Sequence, residues 1–418
     1  MLENTGYGPS SRRRGSGNML THAIMAVVGA ALATVLLLAF YNPGSGGSGM
    51  SLPGSGAVPA PGAQSAPLSG GEQAIVTKVK PGLVIINTAL QYASEAAAGT
   101  GMVINAGGLV LTNNHVINGS TKITATVEST GTTYPATVVG YDQSGDIALI
   151  QLQNASGLTT VPIGDSSKVR AGDAVVALGN AEGRGAITAK PGQVTALDQT
   201  ITASDDGGST ASETLHGMIQ TNADIVPGDS GGPLASSAGV IGMDTAGNNA
   251  GFQQASTGFA IPVNTALSVA RQIAGGHASS TVTIGYPPFV GIFIGSGPDS
   301  SPQAQARQEE QQNGGVGSSG SAPRCYTRNS NVVVPSTIAP VNSGALIIGT
   351  ICGSPAASAG LTGGAVITAV NGRAVGSPDD LHGILSRFHP GDTISVTWVS
   401  PSGQRDTSSL QLTAGPPQ

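Results

Sequence analysis

Short apolar runs punctuated by Gly, Asn and Asp fill the middle of the chain. Residues 83–88, 101–105, 109–112, 122–127, 136–141 and 147–152 form a first set that the pattern predicts as strands. Residues 174–178, 193–197, 217–220, 239–243 and 258–263 form a second. This spacing suits an all-β sandwich or barrel, so the fold class expected here is mainly β. Residues 264–273 then read as a short helix, with Asn264 as cap, Leu267, Val269, Ala270 and Ile273 as apolar positions and Gly275 as the stop. A second helix opens at Ser377-Pro378-Asp379-Asp380, where serine caps, proline takes the first turn and an acid follows. Leu381, Ile384, Leu385 and Phe388 share one of its faces, and residues 393–399 read as a closing strand.

The N-terminal part has a different pattern. Residues 23–41 carry no charge, and Arg12-Arg13-Arg14 stand before them. That length matches a hydrocarbon core of ~30 Å at 1.5 Å per residue. Arginines on one side only put residues 1–22 in the cytoplasm and the rest outside, as a single-pass cell-membrane protein held by one transmembrane helix. A cleaved signal peptide and a buried helix are the alternatives. Residues 42–71 are mostly Gly, Ser, Pro and Ala, which bury too little apolar surface to fold, so they read as a disordered linker.

Composition adds two limits. With 418 residues, 63 of them glycine and 10% charged, the chain has room for two or three domains joined by flexible connectors. A net charge of −6, with no basic run interleaved with aromatics, excludes nucleic acid as the main partner.

Candidate chemistry centres on Ile225-Val226-Pro227-Gly228-Asp229-Ser230-Gly231-Gly232-Pro233. A serine between glycines, flanked by prolines, reads as a rigid turn presenting one hydroxyl, in which the N–H groups of Gly228 and Ser230 can point at one spot. A serine needs a base held by a third group to act as a nucleophile. Upstream stand Thr112-Asn113-Asn114-His115-Val116 and Gly145-Asp146-Ile147-Ala148-Leu149, and His115 is the one histidine between residues 73 and 200.

In the order His, Asp, Ser, these segments resemble a chymotrypsin-like, trypsin-like serine protease of the HtrA/Deg group. The resemblance implies two six-stranded β-barrels over residues 72–276, with His115 and Asp146 on the first and Ser230 on the second. It implies His115, Asp146 and Ser230 as catalytic residues, an oxyanion hole from Gly228, Asp229 and Ser230, and polypeptide substrates. Asp244, Thr245, Ala246, Gly258, Phe259 and Ala260 would line the specificity pocket. Two departures stand out. Asp229 takes the place of the group's common Asn. Asp224 stands six residues before the serine, where an acid selects Lys or Arg in trypsin-like enzymes; the alternative is an Asp turned to solvent and a pocket for small aliphatic residues. No metal or cofactor is expected.

Residues 278–417 resemble a PDZ domain through Phe289-Val290-Gly291-Ile292, Gly353-Ser354-Pro355-Ala356, Ala359-Gly360-Leu361 and the run from Val366 to Gly372. The resemblance implies that C-terminal peptides bind beside Phe289, Val290, Gly291 and Ile292, with Leu385 helping to form an apolar pocket. Residues 296–323, polar and of low complexity, read as a loop insertion. Cys325 and Cys352 lie on the side expected to be oxidising, so they can form a disulfide; two buried thiols are the alternative. Family members often trimerise, which makes a homotrimer an expectation too. The function expected is an endopeptidase acting on unfolded or damaged extracytoplasmic proteins. The competing readings are an inactive, membrane-anchored PDZ scaffold and an esterase-like acyl hydrolase.

Overall fold

The computed structural model describes residues 68–90, 95–204, 212–245, 257–295, 299–312, 324–327 and 332–417. The expected membrane span at 23–41 and nearly all of the expected linker lie outside these residues. Among the described residues no helix is long and apolar enough to cross a membrane. The linker expected through residue 71 ends earlier, because helix α1 (Gly70–Val79) starts there. Ser69 caps it reciprocally with Glu72, a capping box that satisfies two otherwise orphaned donors.

Six strands make the first barrel: β1 (Leu83–Leu90), β2 (Glu95–Asn105), β3 (Leu109–Thr112), β4 (Lys122–Val127), β5 (Thr133–Asp142) and β6 (Ile147–Leu152). Their order is β5-β4-β1-β2-β3-β6, closed by β5 against β6. The period of two is visible in β1. Val84 and Ile86 point into the barrel interior with Val103, Val110 and Ile150, whereas Leu83 and Ile85 face a second core outside it.

The second barrel is closed by β7 (Ala174–Gly179), β8 (Thr188–Ser204), β9 (Ser212–Thr221), β10 (Pro233–Ser236), β11 (Gly239–Thr245) and β12 (Gly258–Pro262). Its interior holds Val175, Ala177, Val194, Ile219, Leu234, Ile241 and Ala260. The core outside β1 is shared between the barrels: Leu83, Met102, Leu111 and Leu149 of the first pack with Val176, Leu178, Met218 and Phe259 of the second.

Helix α2 (Asn114–Ile117) follows β3, and α3 (Val263–Ala274) follows β12. Helix α3 buries Val263, Ala266, Ala270 and Ile273, so the apolar face foreseen is present, but Asn264 is not its cap. Its side-chain amide instead donates to Asp165, because the helix begins directly off strand β12 at Pro262. Strand β13 (Val282–Ile284) pairs with β5, so the first barrel's sheet draws on chain beyond the boundary expected at 276–278.

The C-terminal region builds a sheet in the order β15-β16-β17-β19-β20, with β18 beside β17. Its members are β15 (Ile292–Ile294), β16 (Ala345–Thr350), β17 (Val366–Val370), β18 (Arg373–Ala374), β19 (Thr393–Val399) and β20 (Arg405–Gln411). A small ribbon joins β14 (Pro288–Phe289) to β21 (Thr413–Ala414). Helix α5 (Pro355–Ser358) is short; α6 (Pro378–Leu385) has the expected Ser377 cap and buries Leu381 and Ile384. Phe388 lies past its end but packs on the same core as Leu385.

The insertion is not all loop. Residues 302–312 form α4 (Pro302–Gln312), which covers the second face of the sheet. Gln305, fully buried, donates from Nε2 to the Gly344 carbonyl at 2.8 Å and accepts the Leu346 N–H at 2.8 Å. Its amide thus stands where a neighbouring strand's peptide would, which a hydropathy pattern does not reveal. Cys325 and Cys352 are joined as a disulfide. Beside it Tyr326 donates its N–H to the Thr350 carbonyl and accepts one from Cys352.

Candidate active site

Helix α2 is one turn long and carries His115 at the edge of the first barrel. Asp146 sits in the turn between β5 and β6, with φ of 51°, a left-handed conformation that Asp tolerates better than most residues. The turn is pinned by Asp142, whose Oδ1 accepts the Ser144 hydroxyl at 2.8 Å and the Gly145 N–H at 3.2 Å. Asn113 fastens α2 to it by donating from Nδ2 to the Asp146 carbonyl at 2.9 Å.

The Asp146 carboxylate faces His115. Its oxygens lie 3.0 and 2.9 Å from His115 Nδ1, and Oδ1 also accepts the His115 backbone N–H at 3.0 Å. Thr245, at the end of β11 in the other barrel, donates its hydroxyl to Oδ2 at 3.1 Å. The carboxylate side chain is 3% exposed, while the imidazole is 29% exposed. Such an arrangement holds Nδ1 protonated and leaves Nε2 as the basic nitrogen.

Ser230 stands on the turn ahead of β10 and is itself buried. Gly228 and Gly231 have φ of 93° and 82°, and a side chain on either would collide with neighbouring backbone. Both barrels hold this turn. From β2, Thr100 donates its N–H to the Ser230 carbonyl at 2.9 Å and its hydroxyl to the Gly228 carbonyl at 2.8 Å. That hydroxyl also accepts the Asn180 N–H at 2.9 Å, and Thr112 donates to the Thr100 carbonyl at 2.7 Å. From β11, Asp244 accepts the Gly231 N–H at 2.9 Å and donates to the Gly232 carbonyl at 2.7 Å. Asp229 donates its own N–H to the Val226 carbonyl at 3.0 Å, so that donor is turned into the loop and away from the oxyanion position expected for it.

Residues 99–243 match the trypsin-like peptidase domain family, and residues 348–399 match the PDZ domain family. The chain is 31% identical over 417 residues to the serine protease PepD of Mycobacterium tuberculosis, covering 96% of this chain and 77% of that one. It belongs to the HtrA/Deg group of trypsin-like serine proteases. To the periplasmic pH-dependent serine endoprotease DegQ of Escherichia coli it is 34% identical over 300 residues, 71% of this chain and 55% of DegQ. A probable periplasmic serine protease of Haemophilus influenzae is 34% identical over 315 residues, 74% of this chain and 56% of that one. The chain thus spans about half the length of these two relatives. It is a serine endopeptidase with a C-terminal PDZ domain.

Other expected site residues of this HtrA-type protease fall differently. Asp224 is exposed. Asp244 and Thr245 are buried, and neither presents an open pocket wall: Thr245 serves Asp146, and the Asp244 carboxyl has no hydrogen-bond partner among the described residues. Burial drives the Asp244 pKa well above the ordinary carboxylate value, with Asp229 adding to the rise. Gly258, Phe259 and Ala260 are buried in β12, and Ile225 packs over Gly258. Ala246 lies outside the described residues.

In the PDZ domain Phe289 belongs to the β14–β21 ribbon, and Val290 is a core residue. Gly291 has φ of 82°, and its carbonyl accepts the Ile351 N–H at 2.9 Å and the Ser354 hydroxyl at 3.1 Å. Ile292 on edge strand β15 and Leu385 on α6 are both half-buried against one core, as the two walls of a groove would be. Thr100, Asn180 and Lys190 were not foreseen. Each is a lone polar residue far from Ser230 in sequence, so no motif or spacing marks it.

Proposed function

We propose that Ser230 is the nucleophile, His115 its general base and acid, and Asp146 the group that orients and stabilises the imidazole. The observation that carries this is the buried Asp146 carboxylate bonded to both His115 Nδ1 and the Thr245 hydroxyl. In the reaction Ser230 Oγ attacks the scissile carbonyl as His115 Nε2 takes its proton. The same nitrogen then protonates the leaving amine, and water repeats the sequence on the acyl-enzyme. The N–H groups of Gly228 and Ser230 receive the oxyanion, and losing one such donor costs ~3 kcal/mol of transition-state stabilisation.

Substrates are polypeptides, unfolded or damaged ones outside the cytoplasm, with C-terminal peptides taken by the groove between β15 and α6. A peptide there would add a strand to β15 and give its carboxylate to the N–H groups at Val290 and Gly291. With Asp224 exposed, the preference is for small aliphatic residues before the scissile bond rather than Lys or Arg. The N-terminal apolar segment anchors the chain, and the assembly is a homotrimer.

The test is labelling of the full chain by a fluorophosphonate, together with cleavage of casein and of small esters. Labelling and casein cleavage that vanish in Ser230→Ala support the proposal. Absence of labelling in the wild type would favour a scaffold, and ester turnover without proteolysis an acyl hydrolase.

A further inference from the structure

The residue before the nucleophile is a buried acid, and burying a carboxylate is costly without a partner. Asp229 has one. Lys190, projecting from β8, places Nζ 2.8 Å from Asp229 Oδ2, with the two side chains 15% and 1% exposed. Oδ2 also accepts the Val226 N–H at 3.0 Å, whereas Oδ1 meets no donor among the described residues. Burial, the largest influence, leaves the Asp229 pKa above the ordinary carboxylate value, and Lys190 is the strongest influence pulling it back. Asp224 adds to the rise at Asp229, Asp229 in turn adds to the rise at Asp244, and Lys190 is the cation that pulls against both.

The position of this pair gives it a consequence for catalysis. Asp229 closes a ring on Val226: backbone N–H to the Val226 carbonyl, and carboxylate from the Val226 N–H. Gly228 lies inside that ring, held at φ of 93°. Resting on the assignment of Ser230 as nucleophile and Gly228 as oxyanion donor, we propose that Lys190 is a positioning residue of the protease site. Its ammonium fixes the Asp229 carboxylate, and the carboxylate fixes the turn that aims the Gly228 and Ser230 N–H groups at the oxyanion. Lys190 touches neither substrate nor the reacting atoms, so its loss reduces transition-state stabilisation and leaves ground-state binding nearly intact.

The test uses the full chain with a fluorogenic peptide and a peptide aldehyde, whose adduct with serine carries the same oxyanion. In Lys190→Met, kcat should fall about 10- to 100-fold with KM within about twofold, and aldehyde affinity should fall in parallel with kcat. Lys190→Met/Asp229→Asn removes the charge pair but keeps an acceptor for the Val226 N–H. It should recover at least about tenfold of the lost kcat, which an ion pair of merely structural value would not do. Lys190→Arg should stay within about fivefold of wild type. Should Lys190→Met fail to fold, the folded double variant still reads the proposal, because it is expected to be active. Near-wild-type kcat in Lys190→Met, or a folded double variant no better than the single one, overturns it. Ser230→Ala run alongside separates the cases: if it is inert while Lys190→Met is unimpaired, the nucleophile assignment stands and this inference falls.

Discussion

Thr100→Val removes one hydroxyl and keeps the side chain's shape. Thr100 is fully buried, so no water can replace what is lost. Its hydroxyl donates to the Gly228 carbonyl at 2.8 Å and accepts the Asn180 N–H at 2.9 Å. Valine leaves both backbone groups unsatisfied, at about 1–3 kcal/mol each, so the middle of that range predicts a loss near 4 kcal/mol. The backbone bond from Thr100 to Ser230 survives, which confines the damage to the Gly228 side of the turn. A shift of Gly228 misaligns its N–H, and kcat should drop by roughly tenfold or more. Thr100→Ser keeps the hydroxyl and loses a methyl group, about 0.8 kcal/mol, so it should retain nearly full kcat. Urea melts and peptide hydrolysis measure the two effects. Wild-type stability and kcat in Thr100→Val would refute the reasoning.

Other changes should read out separately. Thr245→Val removes a donor from the buried Asp146 carboxylate and loosens its hold on His115, so kcat should fall roughly tenfold in peptide hydrolysis; an unchanged kcat would contradict a role for this bond. For Asp244 the folded pKa is raised, so the unfolded chain releases this proton first and stability falls as pH climbs from about 4 toward the folded value. Asp244→Asn abolishes that slope, and its melting temperature minus that of wild type should increase with pH; a difference independent of pH would contradict the buried, protonated carboxyl. Reducing the Cys325–Cys352 bridge, which closes 27 residues of sequence, should lower stability by about 3.5 kcal/mol in urea melts, and Cys325→Ser/Cys352→Ser should be insensitive to reductant.

Much of the fold was legible because its signals are local. Alternation and turn residues located the strands of the first barrel and all of the second but β10, whose four residues follow directly on the Ser230 turn, and the Ser377-Pro378 start of α6 is written in adjacent residues. Strand β8 extends far beyond the stretch expected because bulges near Val194, Ala196 and Gln199 interrupt its alternation. Helix α4 was missed because Gln305 docks it through the backbone groups of Gly344 and Leu346, which no hydropathy pattern marks. At the site the same division holds. His115, Asp146 and Ser230 stand in short motifs, whereas Thr100 and Lys190 gain meaning only from what the topology brings beside them. Asp244 and Thr245, expected to line the pocket, are both buried, and Thr245 bonds Asp146, a contact that their place next to each other in sequence does not reveal.

These supporting contacts have a common direction. Ser230 belongs to the second barrel, yet its turn is fastened by Thr100 of the first. Asp146 belongs to the first barrel, yet its carboxylate is bonded by Thr245 of the second. Each barrel therefore holds the other's candidate catalytic element, over a shared core in which Met102 and Leu149 pack with Leu178 and Met218. If one barrel slid against the other, it would break the Thr100 and Thr245 bonds together. Lys190 and Asp229 act differently, because both lie within the second barrel and shape the turn independently of that registry. Two kinds of preorganisation thus meet at Ser230. One sets where Ser230, the proposed nucleophile, stands relative to His115, and the other sets the shape of the loop that would receive the oxyanion. Thr100→Val and Thr245→Val should therefore couple more strongly to each other than Thr245→Val does to Lys190→Met, and a double-mutant cycle on kcat measures that difference.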